Sequence, residues 1–134
     1  MKNRDDLARG WWRKAMSDLI ALEASRKAGA LDAACFHAQQ AAEKTLKSFL
    51  AYSKKDFPYT HNLVKLVNLC AEEDPDFLGL IPAVESLTPF AVELRYDAEF
   101  WPSEDTADNA LANAKEVQNF IAEKLPSSIT QNMP

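Results

Sequence analysis

The sequence predicts an all-α fold, an antiparallel up-and-down bundle of about five helices. Apolar residues recur at spacings of three and four in successive segments, and no segment alternates apolar and polar residues as a strand does. Short polar stretches separate these segments, and a chain of 134 residues fits one domain. We therefore assign residues 1–126 to a single helical domain, and we expect residues 127–134 to form a frayed tail.

Helices one and two are predicted over about residues 5–28 and 31–53. Helix one carries an apolar stripe that includes Trp12, Ala15 and Leu22. Gly29 is expected to end it, because glycine adopts the left-handed conformation of a helix C-cap without steric cost. The core-facing residues of helix two repeat every three or four positions and comprise Leu31, Cys35, Ala38, Ala42, Thr45 and Phe49.

The later helices are predicted from caps and prolines. Thr60 can cap helix three through its hydroxyl. The buried side of that helix comprises Leu63, Leu66, Val67 and Cys70. Asp74 before Pro75 predicts the start of a short helix, and a longer helix kinked by its prolines should follow and end near Tyr96. Ser103 is the expected cap of the last helix. The stripe of that helix comprises Ala107, Ala110, Ala114, Val117, Ile121 and Leu125.

Composition limits the classes of ligand and location. The formal net charge is −5, so the whole chain has no electrostatic attraction to nucleic acid or to an anionic membrane, and a phosphate must be held by a local cluster of basic groups. Cys35 and Cys70 lie in apolar helical patterns without metal-binding spacing, which is typical of reduced core thiols. No apolar run approaches the roughly 20 residues of a membrane span. We therefore expect a cytoplasmic protein with no membrane association, no metal and no other cofactor.

Helix two also carries a polar face. At about 100° per residue, His37, Gln40, Lys44 and Lys47 fall within an arc of roughly 80°, away from the apolar stripe. An ordinary solvated helix surface would have this composition, and Glu43 and Lys47 form a favourable i,i+4 pair. Alternatively, two lysines, an imidazole and an amide can converge on a phosphate.

Three sequence features together resemble one known family. They are the aromatic-His-x-x-Gln-x-x-Glu-Lys run on helix two, the Thr-His-x-Leu start of helix three and the Arg-Tyr pair that ends helix four. Over about residues 8–125 the chain resembles the HEPN domain family, named for higher eukaryotes, prokaryotes and nucleotide binding. The resemblance implies an all-helical bundle that usually forms a homodimer. It also implies a small nucleotidyltransferase as partner, in toxin–antitoxin-like pairs, and many other members of the family are metal-independent ribonucleases.

The ribonucleases of the family carry an Arg, four to six arbitrary residues and then a His, a pair suited to polarising phosphate and moving a proton. This sequence lacks that pair, because its histidines stand only at 37 and 61 and no arginine precedes either at the required spacing. We therefore assign no catalytic residue. If RNA is cleaved nevertheless, the candidates are Arg95, His61 and His37.

The predicted ligand site extends beyond helix two. The start of helix three and the end of helix four can meet in an antiparallel bundle, which brings His61 and Arg95 into consideration. Arg95 can grip phosphate with two parallel hydrogen bonds, or it can simply interact with the helix dipole. The predicted ligand-binding set is His37, Gln40, Lys44, Lys47, His61, Arg95 and Tyr96.

The favoured functional hypothesis is a HEPN module that binds a nucleotide or an RNA end and acts with a nucleotidyltransferase partner. The alternatives are a metal-independent ribonuclease toxin with an atypical site and a noncatalytic dimeric scaffold. Trp11 and Trp12 are adjacent on helix one and about 100° apart, so that one can enter the core while the other lies at an interface. Together with the apolar stripes of the first two helices, they predict a homodimer.

Overall fold

The computed structural model describes residues 3–92 and 97–131, and in these ranges all regular secondary structure is helical. Six α-helices lie in these described ranges, namely α1 (Arg4–Ala28), α2 (Leu31–Tyr52), α3 (Leu63–Ala71), α4 (Ile81–Leu87), α5 (Glu104–Lys124) and α6 (Ser127–Thr130). Two 3₁₀ helices, Pro75–Leu80 and Thr88–Ala91, flank α4. The predicted all-α helical bundle is therefore confirmed, with five of the described α-helices longer than the four-residue α6.

The two long N-terminal helices have the ends that the sequence predicts. Asn3 and Asp6 form a capping box at the start of α1, in which the Asn3 side chain accepts a hydrogen bond from the Asp6 amide at 2.8 Å. Gly29 follows α1 in the left-handed conformation, with φ of 83°. This tight turn joins α1 to α2 through two residues, so the two helices pack against each other as antiparallel neighbours.

The cap of α3 differs from the prediction. Asn62, and not Thr60, is the N-cap residue, and its side-chain oxygen accepts a hydrogen bond from the Lys65 amide at 3.2 Å. The Thr60 hydroxyl instead accepts from the amide of Asn62 at 3.0 Å. The prediction that Thr60 caps the helix is therefore wrong by two positions, because asparagine is at least as good a cap and lies closer to the first apolar residue.

The segment between α3 and α5 is broken into short turns. Asp74 caps the 3₁₀ helix that begins at Pro75, as expected. The longer kinked helix predicted next is divided into α4 and the 3₁₀ helix Thr88–Ala91, because prolines near the start of each turn remove backbone donors. Its predicted end near Tyr96 lies outside the described residues.

The C-terminal part contains more structure than expected. Ser103 caps α5 as predicted, with its hydroxyl oxygen accepting from the Thr106 amide at 3.1 Å. Residues 127–130 form α6, and Ile129 is fully buried in the core. The expectation of a frayed tail is therefore wrong for these four residues, since burying one isoleucine favours their order.

Helix α2 lies at the centre of the bundle and contacts α1, α3, α4 and α5. Its predicted core stripe is buried throughout. Cys35 and Cys70 are both buried free thiols, and burial, together with the nearby Asp32 carboxylate, raises the pKa of Cys35 to about 11. None of the described helices combines the length and apolar character needed to cross a membrane. The polar side chains of α2 that bond to other elements reach α1 or His61, as His37, Lys44 and Glu43 do.

Candidate functional site

A surface cluster lies between α1 and α2 and consists of Asp18, His37 and Lys44. His37 and Lys44 are seven residues apart, two helical turns, so both side chains lie on the same face of α2. The Asp18 carboxylate on α1 accepts a hydrogen bond from His37 Nδ1 at 2.9 Å and another from Lys44 Nζ at 2.6 Å. The side chains of His37 and Lys44 keep 29% and 22% of their surface exposed, so this cluster is accessible to a ligand.

A buried network lies next along α2 and consists of Gln39, Glu43, Lys47 and His61. The Glu43 carboxylate accepts hydrogen bonds from Lys47 Nζ at 3.0 Å, His61 Nδ1 at 2.8 Å and Gln39 Nε2 at 3.1 Å. The Gln39 side chain also donates to the His61 backbone carbonyl at 3.3 Å, and its oxygen accepts from Gln40 Nε2 at 2.7 Å. Glu43 and Lys47 are only 3% and 5% exposed, so they form a buried ion pair and are not part of a solvated helix surface.

The electrostatics of Glu43 follow from these contacts. Burial acts to raise the pKa of Glu43, because a charged carboxylate loses hydration. Hydrogen bonds from His61, Lys47 and Gln39 outweigh that effect and hold the pKa below its ordinary value. Glu43 is therefore ionised at neutral pH and compensates the buried ammonium group.

Aromatic rings surround the ammonium group of Lys47. Its Nζ lies 5.2 Å from the ring centre of Trp11, 5.9 Å from Phe57 and 5.8 Å from Tyr59. Trp11 and Phe57 contact each other edge-on at 6.4 Å, and Tyr59 contacts His61 in the same way at 5.5 Å. We call these four rings, Trp11, Phe57, Tyr59 and His61, the aromatic cluster. The rings of Trp11, Phe57 and Tyr59 stabilise the lysine by cation–π interaction, and the cluster attaches the segment 57–61 to α1 and α2.

Both histidines are oriented by a carboxylate. Because a carboxylate only accepts hydrogen bonds, Nδ1 of His37 carries a hydrogen towards Asp18, and Nδ1 of His61 carries one towards Glu43. No described residue donates to or accepts from Nε2 of either ring. In the neutral imidazole Nε2 is the basic nitrogen, and in the protonated ring it is a donor. Each ring can thus accept or donate one proton at Nε2.

The structure separates the predicted site residues. His37, Gln40 and Lys44 lie together at the accessible surface, as the helical spacing indicates. Lys47 is instead buried among Glu43 and the aromatic rings. His61 is half-buried and reaches the same Glu43. Arg95 and Tyr96 lie outside the described residues.

Sequence reasoning missed the groups that hold these residues in place. Asp18 lies between Ala15 and Leu22 in the apolar stripe of helix one, and a charged residue at a stripe position indicates a buried polar partner. Gln39 is fully buried, and it differs from its sequence neighbour Gln40 only in the direction in which its side chain leaves the helix. The contribution of Phe57 and Tyr59 carries no periodic signal, because both lie in a non-helical segment.

Among residues 3–92 and 97–131, no three His, Cys, Asp or Glu side chains are grouped so that they could hold a metal ion.

Comparisons with known proteins agree with this architecture. A family model of the HEPN domain matches residues 8–125. The crystal structure of TT1696 from Thermus thermophilus is similar, with 29% sequence identity and a TM-score of 0.74 over 88% of this chain and 98% of that one. The fold of ST0689, described as an archaeal HEPN homologue, is also similar, with 22% identity and a TM-score of 0.68 over 92% of this chain and 98% of the other. No curated protein matches the chain at a significant level. The chain belongs to the HEPN domain family.

Proposed function

We propose that this HEPN module binds the phosphate of a nucleotide or of an RNA end at the surface cluster, and that it acts with a small nucleotidyltransferase as its partner. One observation carries the proposal. His37 and Lys44 lie side by side at an accessible surface, where Lys44 offers ammonium donors and a protonated His37 offers a donor at Nε2, and both are held in place by the Asp18 carboxylate. Preorganised donors bind an anion at a lower entropic cost than free side chains do.

The local charge supports an anionic ligand. Lys44 is paired with Asp18, Lys47 with Glu43 and Arg9 with Asp6, and the Lys14 ammonium lies beside the ring of Trp11. These groups carry an excess of one positive charge, with the imidazoles left out of the count, on a chain whose net charge is −5. An anion is therefore favoured here over most of the remaining surface.

The nucleotidyltransferase partner and the homodimer rest on membership of the family. Trp12 is only 2% exposed and so belongs to the core, while Trp11 is half-buried against Phe57. A dimer interface on α1 would therefore use other apolar residues, of which Ile20 is 58% exposed. The partner is tested by asking whether a nucleotidyltransferase gene lies beside this one and then mixing the two proteins. If light scattering shows no complex, the two-component part of the proposal fails.

A second candidate function is supported by the carboxylate–histidine pairs. Asp18 orients His37 and Glu43 orients His61, and none of the described residues bonds to Nε2 of either ring, which is the arrangement of a general base or acid. Such groups suit metal-independent RNA cleavage by attack of the ribose 2′-hydroxyl. Cleavage of a labelled RNA in the presence of a metal chelator, if it is lost in both His37→Ala and His61→Ala, would establish this candidate. An intact RNA would exclude it.

Binding is tested by calorimetric titration with a 5′-phosphorylated oligouridylate of about ten nucleotides, within the usual site sizes for single-stranded ligands. Lys44→Ala removes one charge-assisted donor and leaves Asp18 less compensated, so affinity should fall by about 1–3 kcal/mol. Lys65→Ala is the matched control, because Lys65 is an exposed lysine on α3 outside the cluster. If both variants keep the parent affinity, the proposed phosphate site is wrong.

A further inference from the structure

Tyr59 is presented to solvent in an unusual way. It is 90% exposed, the most exposed large apolar side chain in the described part of the chain. A single exposed aromatic residue is ordinary on a protein surface. This one, however, belongs to the aromatic cluster around Lys47 and follows the exposed Pro58.

The segment that carries Tyr59 is fixed on both sides. Phe57 contacts the ring of Trp11 on α1 at 6.4 Å, and His61 bonds to Glu43 on α2 at 2.8 Å. Tyr59 lies between these two attachments, with its ring edge-on to His61. An aromatic ring held in this way loses little further conformational entropy when a ligand stacks on it.

The surroundings of Tyr59 favour a ligand that is both planar and anionic. Beside Trp11 lies a groove of about 210 Å³, lined also by Leu7, Gly10, Lys14 and Asp6. The Lys14 ammonium lies 5.8 Å from the Trp11 ring centre. Lys44 of the surface cluster lies three residues from Lys47 on the same helix, about 4.5 Å along its axis. Exposed rings next to ammonium groups are the usual elements of sites for single-stranded nucleic acid, in which bases stack and phosphates pair.

We infer that Tyr59, supported by the aromatic cluster, is a stacking platform for a base of single-stranded RNA, while the phosphate backbone follows Lys14 and Lys44. This inference rests on the proposed function, since the phosphates occupy the surface cluster. It adds that the ligand is recognised through a base as well as through its charge. Stacking is tolerant of base identity, because every base offers a flat face.

The test compares two ligands of equal charge, an oligouridylate of about ten nucleotides and the same backbone without bases. The intact chain should bind the first about 5- to 100-fold more tightly, the gain expected from one stacked base. Tyr59→Ala should remove this preference without changing affinity for the abasic strand. Tyr59→Phe should retain it, because phenylalanine keeps the ring. Leu78→Ala is the control, because Leu78 is an exposed apolar residue, 50% accessible, that lies on the 3₁₀ helix Pro75–Leu80 and outside the aromatic cluster.

The outcomes separate the platform from the phosphate site. Equal binding of both ligands by the parent overturns the platform, and if Lys44→Ala still weakens binding, the phosphate proposal stands. A base preference that depends on Tyr59, found together with an affinity for both ligands that Lys44→Ala leaves unchanged, supports the platform and contradicts the phosphate site. A base preference that persists in Tyr59→Ala overturns the platform. A change of oligomeric mass in that variant also overturns it, because Tyr59 would then contact a second copy of the chain. If neither ligand binds, both proposals are wrong.

Discussion

Replacing Glu43 with alanine should destabilise the bundle strongly, although it removes only one carboxylate. Glu43 accepts hydrogen bonds from three side chains, those of Gln39, Lys47 and His61. Its loss leaves the ammonium of Lys47, only 5% exposed, without an ionic partner. Removing one member of a buried ion pair typically costs about 3–5 kcal/mol.

Contacts with the aromatic cluster place the expected stability loss of Glu43→Ala in the lower part of that range. Lys47 would still contact the rings of Trp11, Phe57 and Tyr59 in Glu43→Ala, and cation–π contacts contribute about 0.5–2 kcal/mol. We therefore expect a loss near the lower limit, about 3 kcal/mol, out of a total stability of about 5–15 kcal/mol. Replacing both Glu43 and Lys47 with leucine should restore much of it, since no buried charge remains.

The assay is urea unfolding followed by circular dichroism, with free energies extrapolated to water. Glu23→Ala is the matched control, because Glu23 is also a helical glutamate paired with a lysine, Lys115, at 2.7 Å. That pair is exposed, with 55% and 49% of the two side chains accessible, and should contribute less than about 1 kcal/mol. If Glu43→Ala costs no more than Glu23→Ala, the buried network does not stabilise the fold as described.

Three further predictions concern acid stability, glycine positions and assembly. Folding lowers the pKa of Glu43, so the stability that its ionisation contributes is present above the unfolded pKa, about 4.3, and is lost as pH falls through the folded pKa. Between about pH 5 and 3, the free energy of unfolding should therefore fall less steeply in Glu43→Gln than in the parent. Equal slopes would contradict this. In urea unfolding, Gly29→Ala should cost about 1–2 kcal/mol, because the φ of Gly29 is 83°. Gly10 lies within α1 and no atom lies within 4 Å of an added Cβ, so Gly10→Ala should stabilise the fold by about 0.5–1 kcal/mol. The reverse order would refute the assigned conformations. Light scattering should give twice the chain mass of 15.0 kDa for the parent and the single-chain mass for Ile20→Glu, while a monomeric parent would end the homodimer proposal.

Periodicity predicts most of this fold because the helix stripes are long and regular. Gly29 and Ser103 have local chemistry that fixes a helix end independently of its surroundings, and both lie where the sequence indicates. Thr60 fails as a cap because Asn62 competes for the same role only two residues later. Ile129 was not expected to be ordered, since one apolar residue in a polar tail carries no periodic signal.

The candidate site is predicted less completely because its residues are organised by contacts between elements. Helical spacing correctly places His37 and Lys44 on one accessible face. It cannot show that Asp18 on α1 lies between them, or that Lys47 is covered by rings from the segment 53–62. Whether a lysine on a polar arc is exposed or buried depends on neighbours distant in sequence, and periodicity within one helix contains no information about them.

The central claim, that phosphate binds at the surface cluster, is tested most directly by the histidine ring signals in proton NMR. The chain has two histidines, one in the surface cluster and one in the buried network, so the spectrum is simple to assign with His37→Gln and His61→Gln. During titration with the 5′-phosphorylated oligouridylate, the His37 signal should shift to saturation, and Lys44→Ala should weaken that response. Calorimetrically measured binding that leaves the His37 signal unchanged would contradict the account, because the ligand would then occupy another part of the molecule.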